Sequence, residues 1–367
     1  MRIRYRRIIW LSVLAFLSFC TPIVCADETA SLPKTHLIAG VPYHKQITVF
    51  SCGPAALEIL YDFWSEDIDQ KAISDVTRSS SMGTYTWDMV RAGCFSRLSA
   101  ARGRCFPKSA PKAGYSERPL GYVSFSYASD SLWWTDLKRL IAQNIPVVLL
   151  MKYARDDDTG HYRIIVGYDE EKGVVYFVDP WGRDLTRATN LDGIITWSMT
   201  DFENAWNYTG YGTDHPFWGA VMMPWTVTIH TTGETTAGSV LEVTAEITYP
   251  CPQPFDCHAY SAFNVRAEIT LPPKMLLLEG VPGIDIGYLQ AGESSAVTWR
   301  VKLDGDGSGS SIAVKATGLV SGTVPKVSKN GRININPGKG GDKNNKKNFY
   351  PAYDYTDEIG VEKSIEL

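Results

Sequence analysis

Apolar residues in the first half of the chain follow helical spacing in some stretches and strand spacing in others. Residues 54–64 present a wide apolar face at a helical period, with Pro54 in the first turn, where its missing N–H is tolerated. Residues 132–144 show a second helical pattern that ends before Pro146. Three apolar runs of strand type follow, with a tight turn predicted between the last two, at residues 147–153, 162–169 and 174–179.

One long interruption divides these patterns. Residues 79–127 are rich in Gly, Ser and Pro and predict a partly irregular insertion. Beyond the strands, Ser198 or Thr200 can cap a short helix that runs to Trp206. This mixture of helices and strands predicts an α+β domain over residues 41–224.

The second half of the chain loses the helical period. Apolar and polar residues alternate at 227–229, 240–247, 265–269, 296–301 and 312–316, with Gly and Pro between these stretches. The pattern predicts an all-β sandwich over residues 225–327. Residues 328–367 are predicted to be a flexible linker, rich in Gly, Asn and Lys, and a C-terminal tail that either docks or frays.

The N-terminus has the pattern of a targeting segment. Four arginines within the first seven residues precede an apolar run from Ile8 to about Ala26. This predicts a cleaved signal peptide over residues 1–26, with an uncleaved membrane anchor as the alternative, because the run is nearly long enough to cross a bilayer. Both readings predict a secreted or cell-envelope protein.

The charge balance bears on the partners. The chain has 36 basic and 40 acidic residues, and loss of the four leader arginines leaves 32 − 40 = −8. This gives no reason to expect nucleic acid as a partner. No phosphate-binding loop and no zinc-type Cys/His spacing is present, so no cofactor and no metal are predicted. The oligomeric state is left open.

Cysteine spacing separates one residue from the others. Outside the leader, Cys94 and Cys105 are eleven residues apart, and Cys251 and Cys257 are six apart. In an exported protein each pair predicts a local disulfide. Cys52 remains as the unpaired cysteine. A buried apolar role is the plain explanation, but its surroundings favour a chemical one.

Cys52 stands in the sequence Gln-Ile-Thr-Val-Phe-Ser-Cys-Gly-Pro, directly before the first predicted helix. The positive end of a helix dipole lowers the pKa of a thiol and so favours the reactive thiolate. Gly53 is interpreted as allowing a tight turn and a close approach of substrate. The backbone N–H of Cys52 and the side chain of Gln46 can donate to an oxyanion.

A thiolate nucleophile needs a base. His161 opens an apolar strand and Asp179 closes the next one, so pairing of these strands through their turn brings both residues to the same end of the sheet. Asp179 can then accept a hydrogen bond from the imidazole of His161 and fix its tautomer. Each residue alone is weak evidence, and it is the combination that indicates a thiol active site.

The combination resembles a known family. Val-Pro-Tyr-His-Lys-Gln at 41–46, Ser-Cys-Gly-Pro-Ala-Ala at 51–56, Gly-His-Tyr-Arg-Ile-Ile-Val-Gly-Tyr at 160–168 and Val-Asp-Pro at 178–180 are similar to the bacteriocin-processing peptidases, family thirty-nine of the cysteine peptidases, in their stand-alone exported form. The resemblance covers residues 41–224 and implies a papain-like α+β fold. It also implies a nucleophile at Cys52, a base at His161, an orienting group at Asp179 and an oxyanion donor at Gln46. The chain contains no ABC transporter segment, so removal of leader peptides during export is not implied.

These observations favour an exported cysteine peptidase that hydrolyses peptide or isopeptide bonds of a peptide or protein substrate. One alternative is a catalytically idle binding module, with the β-sandwich as a candidate for contact with the cell envelope or surface. An amidase or a transferase is a third reading, because it would share the acyl-enzyme.

Overall fold

The computed structural model describes residues 32–81, 83–96, 99, 122–183, 193–324, 327–328, 349–350 and 353–367. The predicted leader, Cys105 and the linker stretch 329–348 lie outside these residues. Pro33–Leu367 forms a single compact unit. None of the helices described is long and apolar enough to cross a membrane.

The α-helices of the described residues lie between positions 52 and 206, as α1 (Cys52–Phe63), α2 (Gln70–Val76), α3 (Thr86–Ala92), α4 (Trp134–Ala142) and α5 (Met199–Trp206). The predicted helices α1, α4 and α5 are confirmed. α1 begins at Cys52 and buries most of its length against the sheet. Ser198 caps α5 by accepting a hydrogen bond from the N–H of Asp201 at 3.1 Å, one of the two caps that the sequence allowed.

Seven of the described strands form one antiparallel sheet, and they are β1 (Thr35–Leu37), β2 (Tyr122–Tyr127), β3 (Val147–Ala154), β4 (Asp157–Asp169), β5 (Val174–Val178), β6 (Ile194–Ser198) and β7 (Gly219–Pro224). The order is β2-β7-β3-β4-β5-β6, and β1 pairs with β4. The three predicted strands are therefore the neighbours β3, β4 and β5. Ile164 of β4 lies opposite Val178 of β5 in this antiparallel pair, so Asp179, which follows Val178, lies beside Arg163, which precedes Ile164.

The predicted insertion at 79–127 is partly wrong. Its last residues form β2, which pairs with β7 and buries Val123 and Phe125, and its first part contains α3. The polar residues that flank these apolar side chains hid both elements from sequence patterns. Residues 100–121 lie outside the described part.

The described residues after 225 form two four-stranded sheets and one two-stranded sheet. Their strands are β8 (Thr226–Thr232), β9 (Val240–Thr248), β10 (Ser261–Thr270), β11 (Met275–Leu277), β12 (Gly283–Gln290), β13 (Ser294–Leu303), β14 (Ser311–Val324), β15 (Val327–Ser328), β16 (Phe349–Tyr350) and β17 (Tyr353–Glu366). One sheet has the order β12-β10-β14-β17 and the other β11-β13-β9-β8, while β15 pairs with β16 alone. A disulfide joins Cys251 to Cys257, as the sequence predicts.

Of the two alternatives left open for the C-terminal tail, its last residues follow the docked one. β17 pairs with β14 over fourteen positions, from Ser311↔Glu366 to Val324↔Tyr353. Alternate residues of this strand face inward, where Asp357 and Ile359 are fully buried. Many charged residues obscured this period of two, because Asp357 occupies a position at which the pattern calls for an apolar side chain.

The two halves pack closely against each other. Phe125 of β2 contacts Tyr260 with ring centroids 4.8 Å apart, and the N–H of Ser126 donates to the Tyr260 hydroxyl at 3.2 Å. On β17, the carboxylate of Asp357 lies 3.6 Å from the guanidinium of Arg91 on α3. The last strand of the chain therefore places a buried charge against the domain that contains Cys52.

Substitution of Asp357 tests this junction. Asp357→Ala leaves the buried guanidinium of Arg91 without its carboxylate, and we expect the free energy of unfolding to fall by about 3 kcal/mol. Chemical denaturation of the whole chain measures the loss. Glu362→Gln removes an exposed carboxylate from the same strand and serves as the control. Equal stability of the two variants would contradict a stabilising role for the Asp357–Arg91 pair.

Candidate active site

A cleft of about 380 Å³ opens where the N-terminus of α1 meets the ends of β3 and β4. Gln46, Cys52 and His161 line it. Asp179 lies behind His161 and is fully buried. The four residues that the sequence singled out are thus gathered at one place, although more than a hundred positions separate Cys52 from His161.

Cys52 is the first residue of α1, and its thiol is a free, buried side chain. The loop before it is held by local bonds, in which Ser51 Oγ accepts from the N–H of Thr48 at 2.9 Å. The unpaired N–H groups of the first helical turn surround the thiol with partial positive charge. This position favours a thiolate at residue 52.

Gly53 has a different role from the one that the sequence suggested. It lies within α1, and a Cβ atom there would be 2.8 Å from Met89 Sδ and 3.0 Å from the Cβ of Thr84. The glycine therefore allows α1 to approach the segment 84–89 closely. Its absence of a side chain serves packing rather than a turn.

The imidazole of His161 contacts the carboxylate of Asp179. His161 Nε2 lies 2.9 Å from Asp179 Oδ1, which leaves Nδ1 as the other ring nitrogen, and the ring is buried. Asp179 Oδ1 also accepts from the N–H of Trp181 at 2.6 Å. Because the carboxylate is held by the backbone as well as by the ring, it fixes the orientation of His161.

Arg163 is a site residue that our sequence interpretation missed. Its Nε donates to Asp179 Oδ2 at 2.6 Å, and its two terminal nitrogens donate to the carbonyl oxygens of Lys152 at 2.9 Å and Tyr153 at 2.8 Å. The guanidinium is fully buried and lies over the ring of Trp197, 4.7 Å from its centre. The sequence does contain a signal, because Arg163 follows His161 by two positions and therefore projects from the same face of β4.

The electrostatics of the cluster favour an ion pair between Cys52 and His161. Burial would raise the pKa of Cys52, but the charge and hydrogen bonding of His161 and the backbone N–H of Tyr162 outweigh it and lower the pKa. Burial would lower the pKa of His161, but Asp179 and Cys52 raise it despite the opposing charge of Arg163. For Asp179, Arg163 and His161 overcome burial and lower the pKa to about 2.

Gln46 is buried at the edge of the cleft. Its backbone N–H donates to the carbonyl of Pro180 at 2.8 Å, and its side-chain Nε2 donates to the carbonyl of Thr48 at 2.7 Å. One amide hydrogen of Nε2 remains for another acceptor, and Oε1 has no hydrogen-bond partner among the described residues. The side chain of Gln46 is thus held in place and keeps one N–H that can donate to a substrate oxygen.

Tyr211 forms one wall of the cleft and was also missed. Its ring lies between two glycines, since a Cβ on Gly83 would be 2.7 Å from Tyr211 Cε1 and a Cβ on Gly160 would be 2.6 Å from Cε2. Tyr211 has a left-handed backbone, with φ of 49°, which is uncommon for a residue with a side chain. The two glycines make room for this ring beside Cys52.

The predicted disulfide between Cys94 and Cys105 is not formed, because Cys94 is a free cysteine in the described part of the chain. Burial, followed by the nearby charge of Asp357, raises the pKa of Cys94 to about 12. The spacing rule failed because Cys94 follows α3 directly and packs at the junction with β17 rather than in an open loop. Within the described residues, no cluster of three or more His, Cys, Asp or Glu is placed to hold a metal ion.

Comparison with known families adds independent evidence. Residues 38–214 match the profile of the Peptidase_C39 like family. These residues are a C39-like cysteine peptidase domain. No curated protein matches the chain.

Three solved structures resemble this C39-like domain weakly. The peptidase domain of Streptococcus ComA, a bifunctional ABC transporter of a quorum-sensing pathway, is 16% identical with a TM-score of 0.33, and the match covers 50% of this chain and 99% of that one. Xylellain, a cysteine protease from Xylella fastidiosa, is 14% identical with a TM-score of 0.36 and coverages of 53% and 87%. A double glycine motif protease from an AMS/PCAT transporter, solved with its leader peptide, is 13% identical with a TM-score of 0.31 and coverages of 51% and 93%. At these scores the assignment rests on the family profile.

The two free cysteines of the described residues provide a test of the electrostatics. Because the pKa of Cys52 is lowered and that of Cys94 is raised, we expect iodoacetamide at about pH 6 to label Cys52 and leave Cys94 unmodified. His161→Ala removes the group that lowers the pKa of Cys52, so labelling of Cys52 at this pH should fall. Peptide mapping by mass spectrometry measures both sites in one sample. Similar labelling of both cysteines at this pH would contradict the ion pair.

Proposed function

We propose that the chain is an exported endopeptidase that hydrolyses peptide or isopeptide bonds through a triad of Cys52, His161 and Asp179. The observation that carries this proposal is the hydrogen-bonded alignment of a buried carboxylate and an imidazole behind a free thiol at a helix N-terminus. In such an arrangement the histidine takes the proton of the thiol, which becomes a thiolate, and later gives that proton to the leaving group.

In this mechanism the Cys52 thiolate attacks the carbonyl carbon of the substrate. The oxygen of the tetrahedral intermediate accepts hydrogen bonds from the N–H of Cys52 and the Nε2 of Gln46. His161 gives its proton to the leaving amine, and an acyl-enzyme forms on Cys52. His161 then acts as a base toward water, and hydrolysis releases the acid and restores the thiolate.

Asp179 orients the base throughout. Its carboxylate holds Nε2 of His161, so Nδ1 is the nitrogen that serves Cys52 and the substrate. Because each ring nitrogen has its own partner, the imidazole of His161 keeps one orientation during acylation and deacylation. The lowered pKa of Asp179 supports an orienting role rather than an acid role.

Export through the N-terminal segment 1–26 is part of the same proposal. The arginines and the apolar run there have the composition of a signal sequence, and the disulfide between Cys251 and Cys257 suits an oxidising compartment. The substrate is then a peptide or protein outside the cytoplasm. The β domain is a candidate for contact with the envelope or cell surface.

A transferase or amidase would share the acyl-enzyme and differ in what attacks it. An idle binding module would not need an ionisable thiol, and the lowered pKa that His161 gives Cys52 therefore favours a catalytic protein over such a module. Addition of a primary amine during turnover separates hydrolysis from transfer, since transfer incorporates the amine into the product.

Loss of the nucleophile or the base tests the triad. We expect Cys52→Ala and His161→Ala to reduce cleavage of a diverse peptide library by at least about 10³-fold, because each removes a group that takes part in bond making. Mass spectrometry of the library products provides the measurement. Cys94→Ala removes the other free thiol of the described residues and should leave cleavage unchanged. Retention of cleavage by Cys52→Ala would rule out the proposed triad.

Gln46 is tested separately. Gln46→Ala removes one oxyanion donor, and we expect kcat to fall by about 10²–10³-fold with a smaller change in KM, because the bond strengthens only in the transition state. Labelling of Cys52 by iodoacetamide forms no oxyanion and should persist in this variant. A change confined to KM would assign Gln46 to substrate binding instead.

A further inference from the structure

The charges of the proposed triad do not sum to zero. In the reactive state Cys52 and Asp179 are negative and His161 is positive, and all three side chains are at least nine-tenths buried. These three residues alone would place one net negative charge in a buried site. Burial of an uncompensated charge costs several kcal/mol.

Arg163 lies against this cluster and brings the sum to zero. Its Nε contacts the oxygen of Asp179 that does not face His161, at 2.6 Å, so the carboxylate is shared between two cations. Each terminal nitrogen donates to a backbone carbonyl of β3, and the ring of Trp197 covers the guanidinium. Arg163 is therefore fixed where its charge acts on the triad.

We propose that Arg163 is a positioning residue that balances the charge of the active site, so that Cys52, His161 and Asp179 can be ionised together in a buried place. This inference rests on the proposed roles of those three residues. It also explains the choice of arginine, because three separate acceptors are reached by one planar, permanently charged group.

Other charged or titratable side chains face the cluster from the surrounding elements, and these are Tyr43, Tyr153, Asp157, Tyr162, Arg183 and Tyr211. Burial, foremost, keeps Tyr43, Tyr162 and Tyr211 uncharged by raising the pKa of each. Asp157 and Arg183 line the open cleft with opposite signs, where solvent screens them. Among the described residues, Arg163 is the cation bonded to Asp179 on the side away from His161.

The pH dependence of Cys52 alkylation tests the charge balance. The alkylation rate rises as the thiol of Cys52 loses its proton and changes again as the imidazolium of His161 loses its proton. A plot of rate against pH therefore has two limbs, one for each group. Arg163→Met makes the site more negative, and both limbs should move to higher pH by about one unit. Asp179→Asn makes the site more positive, and both limbs should move to lower pH. The double variant restores neutrality, and its limbs should return toward their wild-type positions.

A purely structural role predicts a different result. Loss of packing would lower the alkylation rate or the stability of Arg163→Met without moving the two limbs together. Adding Asp179→Asn would then lower the rate or the stability further instead of restoring the pH profile. Arg163→Lys keeps the charge but reaches fewer acceptors, so we expect unshifted limbs with a reduced rate. Arg139→Met removes an exposed guanidinium on α4 and is the matched control, with no shift expected.

The wild-type profile separates this inference from the proposed function. If wild-type Cys52 shows no lowered pKa and no dependence on His161, the triad itself fails. If wild-type behaves as proposed and the limbs of Arg163→Met stay in place, the charge-balance role is overturned. If Arg163→Met does not fold, the double variant Arg163→Met/Asp179→Asn is compared with Asp179→Asn alone. The same pH profile of Cys52 alkylation in both would also overturn the charge-balance role.

Discussion

The buried carboxylate of Asp179 is the group on which the geometry of the site depends. It accepts hydrogen bonds from a histidine, an arginine and a backbone N–H, at distances between 2.6 and 2.9 Å. Full burial of this charge is tolerable only because all three partners are in place. The register of β4 against β5 fixes the partners, since Ile164 and Val178 are paired directly beside Arg163 and Asp179. A shift of one residue would separate the carboxylate from both side chains.

Much of the site could be predicted from sequence, because Cys52 and Asp179 lie at the ends of regular elements. His161 lies four residues inside β4 instead, opposite Met151 of β3. Cys52 begins a helix with a clear apolar face, and the turn between β4 and β5 places His161 and Asp179 at one end. Arg163 escaped notice since a charged residue inside an apolar strand has no pattern of its own until its partner is known. Tyr211 was missed because it follows the last helix of the domain in an irregular segment.

The errors in the fold have a common cause. α3, β2 and β17 are elements whose buried faces include polar groups, so the alternation of apolar residues that predicts an element is broken. Cys94 is partly buried at a junction formed by parts of the chain that are distant in sequence. Local spacing indicates local structure well, and it does not reveal which surfaces meet after the chain has folded.

The position of β17 bears on the order in which the molecule is built. Asp357 and its partner Arg91 are separated by 357 − 91 = 266 residues, and Asp357 lies only ten residues before the C-terminus. Synthesis proceeds from the N-terminus, and domains generally fold as they emerge. Arg91 on α3 therefore meets the carboxylate of Asp357 only after the 266 residues from position 92 to Asp357 have been made. Pairing of β17 with β14 is the step that joins the two ends of this stretch, because it brings the carboxylate of Asp357 to the guanidinium of Arg91.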